Sequence, residues 1–128
     1  MNFNLNLFLA WFWILLGFIT GMVLGLFFRR ENWLGGYGSF QRRMYRLGHI
    51  SCFGLGAVNL GFFLTVHSLA LTGHFVGPAS WLFIAGALTM PVCCVVMAHF
   101  PRAHALFAVP VVSLIAAAVL TLMEIARP

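Results

Sequence analysis

The chain contains no lysine and no aspartate, and only two acids, Glu31 and Glu124, stand against seven arginines. These absences remove a Ser-His-Asp triad, a Schiff-base lysine, an aspartyl phosphate and an aspartate-rich calcium or magnesium cage. Charged residues fill 7% of the 128 positions, where a water-soluble domain carries about 25%. Cysteine is also scarce. Cys52, Cys93 and Cys94 all fall inside apolar runs, so a disulfide framework is not expected. What is present instead is 62% hydrophobic residues, 16% aromatic residues and a mean hydropathy of +1.02. The chain reads as a small membrane protein.

A bilayer core about 30 Å thick takes about 20 apolar helical residues to cross. Four runs are long enough, at residues 5–28, 45–71, 79–99 and 103–126. They consume nearly the whole chain, which predicts an all-α integral membrane protein: one domain over 1–128, with four transmembrane helices in an up-down bundle. The connection from Arg29 to Arg46, which reaches into the start of the second run, holds Arg29, Arg30, Arg42, Arg43 and Arg46 against the single acid Glu31, whereas the connection at 72–78 holds no permanent charge. The positive-inside rule places the first loop in the cytoplasm and both termini in the periplasm of a bacterial inner membrane, with Arg127 alone opposing. The start, MNFNLNLF, lacks the basic region of a secretory signal, and no small-residue cleavage site follows; the first run is expected to be a retained helix.

Trp33, Tyr37, Phe40 and Tyr45 are interleaved with the arginines. That is the pattern of a segment in the headgroup layer, touching anionic phospholipids or a partner subunit rather than nucleic acid. Gly35, Gly36 and Gly38 let its backbone turn. In the first run Gly17, Gly21 and Gly25 recur every four residues, a flat strip that a second helix can approach closely; whether that helix belongs to this chain or another is open at this point. Gly56 is a further packing candidate on the second run. Pro91 and Pro110 predict kinks at similar depth in the third and fourth helices.

On the second helix His49, Cys52, Gly56, Asn59, Phe63 and His67 fall within an arc of about 80°. Polar side chains in a bilayer turn toward protein, so this stripe is expected to face the bundle interior, either for interhelical hydrogen bonds or to grip a cofactor or quinone-type head. His49, His67, His99 and Asn59 are the candidate cofactor contacts. A b-type haem would take its iron ligands from His49 with His99, both near the same membrane surface, with His104 as the less well-directed partner because it points away from the polar stripe Pro110, Ser113, Ala117, Thr121 and Glu124. Met90, Cys94 and Met97, with Cys93 adjacent, present soft sulfur suited to Cu(I), although the same residues pack ordinary cores.

Similarity in size to small multidrug antiporters ends at the first helix, which has no acid, and similarity to fluoride channels ends at the absent Phe- and Ser/Thr-rich broken helix. Quinone-linked disulfide enzymes carry a Cys-x-x-Cys pair, whereas Cys93 and Cys94 are adjacent. In having single histidines on neighbouring helices the chain loosely resembles the haem-bearing membrane anchors of respiratory enzymes. The expectation is a small non-catalytic integral subunit that docks with other integral subunits of a larger, respiratory or redox membrane complex and contributes a haem or quinone contact. One alternative is an autonomous b-type cytochrome or quinone carrier using His49, His67 and His99. The other is a small homo-oligomeric transporter whose path is lined by Asn59, Ser113, Thr121 and Glu124.

Overall fold

The computed structural model describes residues 4–127, and the first three residues of the MNFNLNLF start lie outside the described part. Four helices follow one another: α1 (Asn4–Leu26), α2 (Phe40–Ser68), α3 (Val76–His99) and α4 (Ala108–Ile125), the last preceded by a 3₁₀ segment at Pro101–Phe107. Each is long and apolar enough to cross a bilayer when that segment is counted with α4. The protein is an all-helical, multi-pass membrane protein.

The chain runs up and down, each helix packing on the next in sequence. Asn6 meets Asn59 and Thr20 meets His49, so α1 and α2 are antiparallel. Phe62 meets Phe83 and Tyr45 meets His99, giving the same for α2 and α3. The principal contacts run from α1 to α2, α2 to α3 and α3 to α4, with a minor contact of α1 on α3; α1 and α4 therefore form the two flanks.

Small residues mark the contact lines. Ala10, Ala79, Ala87 and Ala117 are fully buried, while Phe8, Phe18, Trp81, Val112 and Leu122 stand exposed. Lipid tails are as apolar as leucine, so large side chains gain little by leaving them, and close backbone approach holds the helices together. One apolar cluster gathers Leu9, Trp13, Cys52, Leu55, Ile84 and Ala87, and a second, nearer the terminal end, gathers Phe62, Val66, Val76, Ala79, Phe83 and Ala117.

The helix limits differ from the hydropathy runs for local reasons. α2 begins at Phe40, not Tyr45, because Ser39 caps it, its hydroxyl accepting from the Arg42 N–H at 3.1 Å. Arg42 and Arg43 thus lie on the same helix as Arg46 and not in a loop. The turn before it carries positive φ at Leu34, Gly35 and Gly36, a backbone state glycine adopts without cost and leucine does not. The Ser39 hydroxyl pins that turn by donating to the Leu34 carbonyl at 2.5 Å. α3 starts at Val76, so Pro78 sits in its first turn, where a missing N–H costs nothing.

Pro91 lies inside α3 as expected. Pro110, by contrast, falls in the first turn of α4 and not within a helix that started near residue 103. The carbonyl it would have used, that of Leu106, accepts instead from the Cys93 thiol at 3.4 Å. A thiol read as a soft metal ligand thus closes the hydrogen-bond gap left by a proline.

At the terminal end Glu124 is buried, and its Oε2 accepts the Phe75 backbone N–H at 3.2 Å where α3 begins. A carboxylate at a helix N-terminus satisfies a free donor and opposes the helix dipole favourably. The space beside Gly73 is filled by this carboxylate, so any side chain there would displace it. Arg127 adds a 3.9 Å ion pair to Glu124 and donates to His74 Nδ1 at 3.0 Å. Glu124→Ala is expected to destabilise the protein by about 1–2 kcal/mol and Glu124→Gln, which keeps an acceptor oxygen, by less. Unfolding in detergent micelles measures both, and a wild-type midpoint for the alanine variant would refute the capping role.

Candidate functional site

Residues singled out in the sequence for three separate reasons line one cavity. At the arginine-rich end of the α1–α2 groove, a cavity of ≈ 300 Å³ is lined by Gly21, Leu24, Gly25, Phe28, Trp33, Arg42, Arg46, His49 and Ile50. The glycines come from the packing strip, the histidine from the polar stripe, and the arginines and tryptophan from the headgroup segment.

The glycine strip has its partner within the chain. Phe53 of α2 covers Gly17, where an added Cβ would lie 2.8 Å from the ring, and the His49 imidazole covers Gly21 at the same distance. Gly25 has open space around it and borders the cavity instead of packing. The closest approach of α2 to the α1 backbone is at Gly56, where a Cβ would stand 2.9 Å from the Ala10 carbonyl oxygen and 2.8 Å from Ile14.

His49 is fixed by Thr20. The Thr20 hydroxyl lies within hydrogen-bond reach of the carbonyls of Leu16 at 2.8 Å and Gly17 at 3.1 Å and of His49 Nδ1 at 3.0 Å. In the tautomer that donates from Nδ1 to this hydroxyl, Nε2 of the neutral ring keeps its lone pair.

The arginines behave differently from one another. Arg29, Arg30 and Arg43 are exposed, as a headgroup-layer segment requires. Arg42 is not, with 3% of its surface exposed. Its guanidinium lies 5.7 Å from the ring centres of Phe28 and Trp33 and 5.3 Å from that of Tyr37, and it donates to the Phe28 carbonyl at 3.4 Å. Arg46, half-buried, stacks on Tyr37 at 4.5 Å and donates to the Tyr37 carbonyl. Cation–π contacts of this kind hold a guanidinium without neutralising it. Arg42 thus organises the aromatic turn from inside and, unlike the exposed arginines, borders the cavity and not the outer surface.

The remaining stripe residues separate along α2. Cys52, Gly56 and Asn59 are buried as expected, with Cys52 donating to the Gly48 carbonyl of its own helix. Asn59 joins a three-helix network: the Asn6 amide donates to Asn59 Oδ1 at 2.9 Å, Asn59 Nδ2 to the Leu55 carbonyl at 2.9 Å, and the Ser80 hydroxyl to Asn6 Oδ1 at 2.5 Å. Asn6 and Asn59 are both 0% exposed, and this dry lock leaves Asn59 no room for a ligand. His67 is exposed and stacks only on Phe63 of its own helix, because α2 runs about two turns past Asn59, the level at which Asn6 of α1 docks. It does not face the bundle interior.

His49 and His99 take different partners. His99 Nε2 is bonded to the Tyr45 hydroxyl at 2.9 Å on an exposed surface, and the cavity that takes in His49 does not include His99. The two histidines expected to share a haem iron thus each hydrogen-bond a different neighbour, Thr20 for His49 and Tyr45 for His99, neither of which the sequence singled out for that role. Among the described residues no three His, Cys or carboxylate side chains gather at metal-binding distance. The hydroxyls of Ser113 and Thr121 are each spent on the carbonyl four residues back in α4, and Glu124 on its cap. These three do not form a connected polar path with Asn59. A scan against protein-family models and searches of curated proteins and of solved structures each return no match.

Proposed function

We propose that this chain is a small non-catalytic integral subunit of a larger electron-transferring assembly in a bacterial inner membrane, with the arginine-rich first loop cytoplasmic and both termini periplasmic. The observation that carries the subunit reading is how the polar groups inside the spans are used. Asn6, Asn59, Ser80, Thr20, Ser51, Thr65, Thr89, Ser113 and Thr121 all bond to one another or to a helix carbonyl. Polar groups locked in this way build a rigid scaffold and leave little for turnover or for a transport path. The flanking helices α1 and α4, meanwhile, carry broad apolar faces on which neighbouring integral subunits would seat.

The electron-transfer half of the proposal rests on His49, which lines a cavity that several sequence-derived candidates share and whose Nε2 is a free ligand atom when Nδ1 donates to Thr20. The same atom favours a second reading, an autonomous cytochrome or quinone-binding carrier, because a neutral imidazole with Nδ1 hydrogen-bonded is a competent axial ligand. Purification from native membranes in mild detergent, with a visible spectrum, tests both readings. Co-migration with other integral subunits at fixed stoichiometry is the expected result. A protein that runs alone and colourless would overturn the subunit reading, and a Soret band lost in His49→Ala would replace it with the cytochrome.

A further inference from the structure

The cavity beside His49 has a charge problem that the protein alone does not solve. Arg42 is buried and Arg46 half-buried, both line the cavity, and neither pairs with a carboxylate. The nearest acid in sequence, Glu31, makes no ion pair with either, and Glu124 with Arg127 is the salt bridge found among the described residues. Each guanidinium has five N–H donors, yet each makes a single hydrogen bond, at 3.4 Å, to a backbone carbonyl. A buried cation without a counter-ion is costly. Forked guanidinium donors match phosphate oxygens well, and such charge-assisted bonds are the strong ones.

The shape of the cavity identifies the molecule that carries the phosphate. The arginines and Trp33 stand at one end, at the helix termini, where the headgroup layer meets the hydrocarbon. Gly25 lies level with the arginines, and Gly21, His49 and Ile50 continue the lining as a floor about one turn deeper into the spans; at Gly25 no atom of another element lies within 4 Å of where a side chain would begin. A free anion would use the cationic mouth and leave the apolar floor empty, whereas a lipid fills both. We propose that this cavity is a binding site for an anionic membrane phospholipid, its phosphate held by Arg42 and Arg46 and the start of an acyl chain lying along the glycine-lined floor.

The test uses the full-length protein in neutral detergent, with phosphatidylglycerol, phosphatidylcholine of the same acyl chains, and inorganic phosphate as probes, read by native mass spectrometry and thermal shift. Phosphatidylglycerol is expected to be retained and to raise the melting temperature, with phosphatidylcholine about tenfold weaker or worse and inorganic phosphate without effect. Arg46→Gln is expected to lose about tenfold in phosphatidylglycerol affinity, and Gly25→Leu to lose binding by filling the cavity. Without lipid Gly25→Leu should melt like wild type, since Gly25 touches nothing across the groove, and Arg46→Gln slightly below it, since it gives up one long hydrogen bond and its stack on Tyr37. Arg102→Gln, an exposed arginine at the α3–α4 connection, is expected to bind normally. Equal affinity for the two lipids, wild-type binding by both Arg46→Gln and Gly25→Leu, or an equal loss in Arg102→Gln would overturn the proposal. A full shift from inorganic phosphate alone would overturn the lipid as its source. None of these readings depends on whether a host complex co-purifies, so this inference and the subunit proposal fail separately.

Discussion

Gly56→Leu is expected to force α1 and α2 apart and to lower stability by about 3 kcal/mol or more, while Gly54→Leu, two residues away, stays within about 0.5 kcal/mol of wild type. Both substitutions gain the same intrinsic helix propensity, so the difference between them reports packing alone. At Gly56 the obstacle is the Ala10 carbonyl, 2.9 Å from the position of an added Cβ. That oxygen belongs to the backbone, on a residue with no exposed surface, and it cannot rotate aside. At Gly54 nothing lies within 4 Å, so a leucine there points into the lipid-facing space. Gly21→Leu should fall between the two: its obstacle is the His49 ring, which can swing away at the expense of its bond to Thr20. Unfolding free energies in mixed micelles provide the ranking, and similar losses at Gly54 and Gly56 would show that the close approach does not hold these helices together.

Asn59→Leu is expected to cost about 2 kcal/mol, more than an average interhelical hydrogen bond in a membrane. The excess comes from what is left behind. Asn6 would keep its Ser80 contact but lose the acceptor for its amide, with no water in reach because it is fully buried. An unsatisfied buried donor costs more than the bond it replaces was worth. Removing both amides, in the Asn6→Leu and Asn59→Leu double variant, should therefore cost less than the two single losses added together, with a coupling of about 1 kcal/mol. Strict additivity in that double-mutant cycle would mean that Asn6 and Asn59 do not act as a unit.

The bilayer-spanning runs were legible because length and hydropathy need no partner to be read, but their limits were not. Ser39 moved the start of α2 five residues toward the N-terminus of the chain and carried Arg42 and Arg43 out of a loop and onto a helix. The 3₁₀ segment moved Pro110 from mid-helix to a first turn. Both shifts are made by single local hydrogen bonds or a single ring, which a hydropathy window averages away. The polar stripe on α2 was legible at its centre, where Cys52, Gly56 and Asn59 are buried, and misleading at its outer end. Angular position says which side of a helix a residue occupies, not whether a neighbouring helix covers that side, and among the described residues His67 stacks on Phe63 of its own helix and stays exposed.

Asn6 and Ser80 were missed although both are polar residues in apolar runs, because each lies near a helix end, where exposure to the interface is the ordinary expectation. Arg42 was missed as a buried group for the same reason. In each case the clue in the sequence was identical for the buried residue and for its exposed neighbours.

The order of apolar and charged residues alone determined that the chain is a multi-pass membrane protein with four runs long enough to cross and with five of its seven arginines gathered at residues 29–46, since those follow from the free energy of transfer of each residue taken singly. Which polar groups meet was decided only by the tertiary structure: Asn6 with Asn59, Thr20 with His49, Glu124 with the start of α3, and two arginines left without an acid beside a cavity. A hydrogen bond or an ion pair is satisfied or orphaned by distances between helices that lie far apart in the chain, and no property of a single residue fixes those distances.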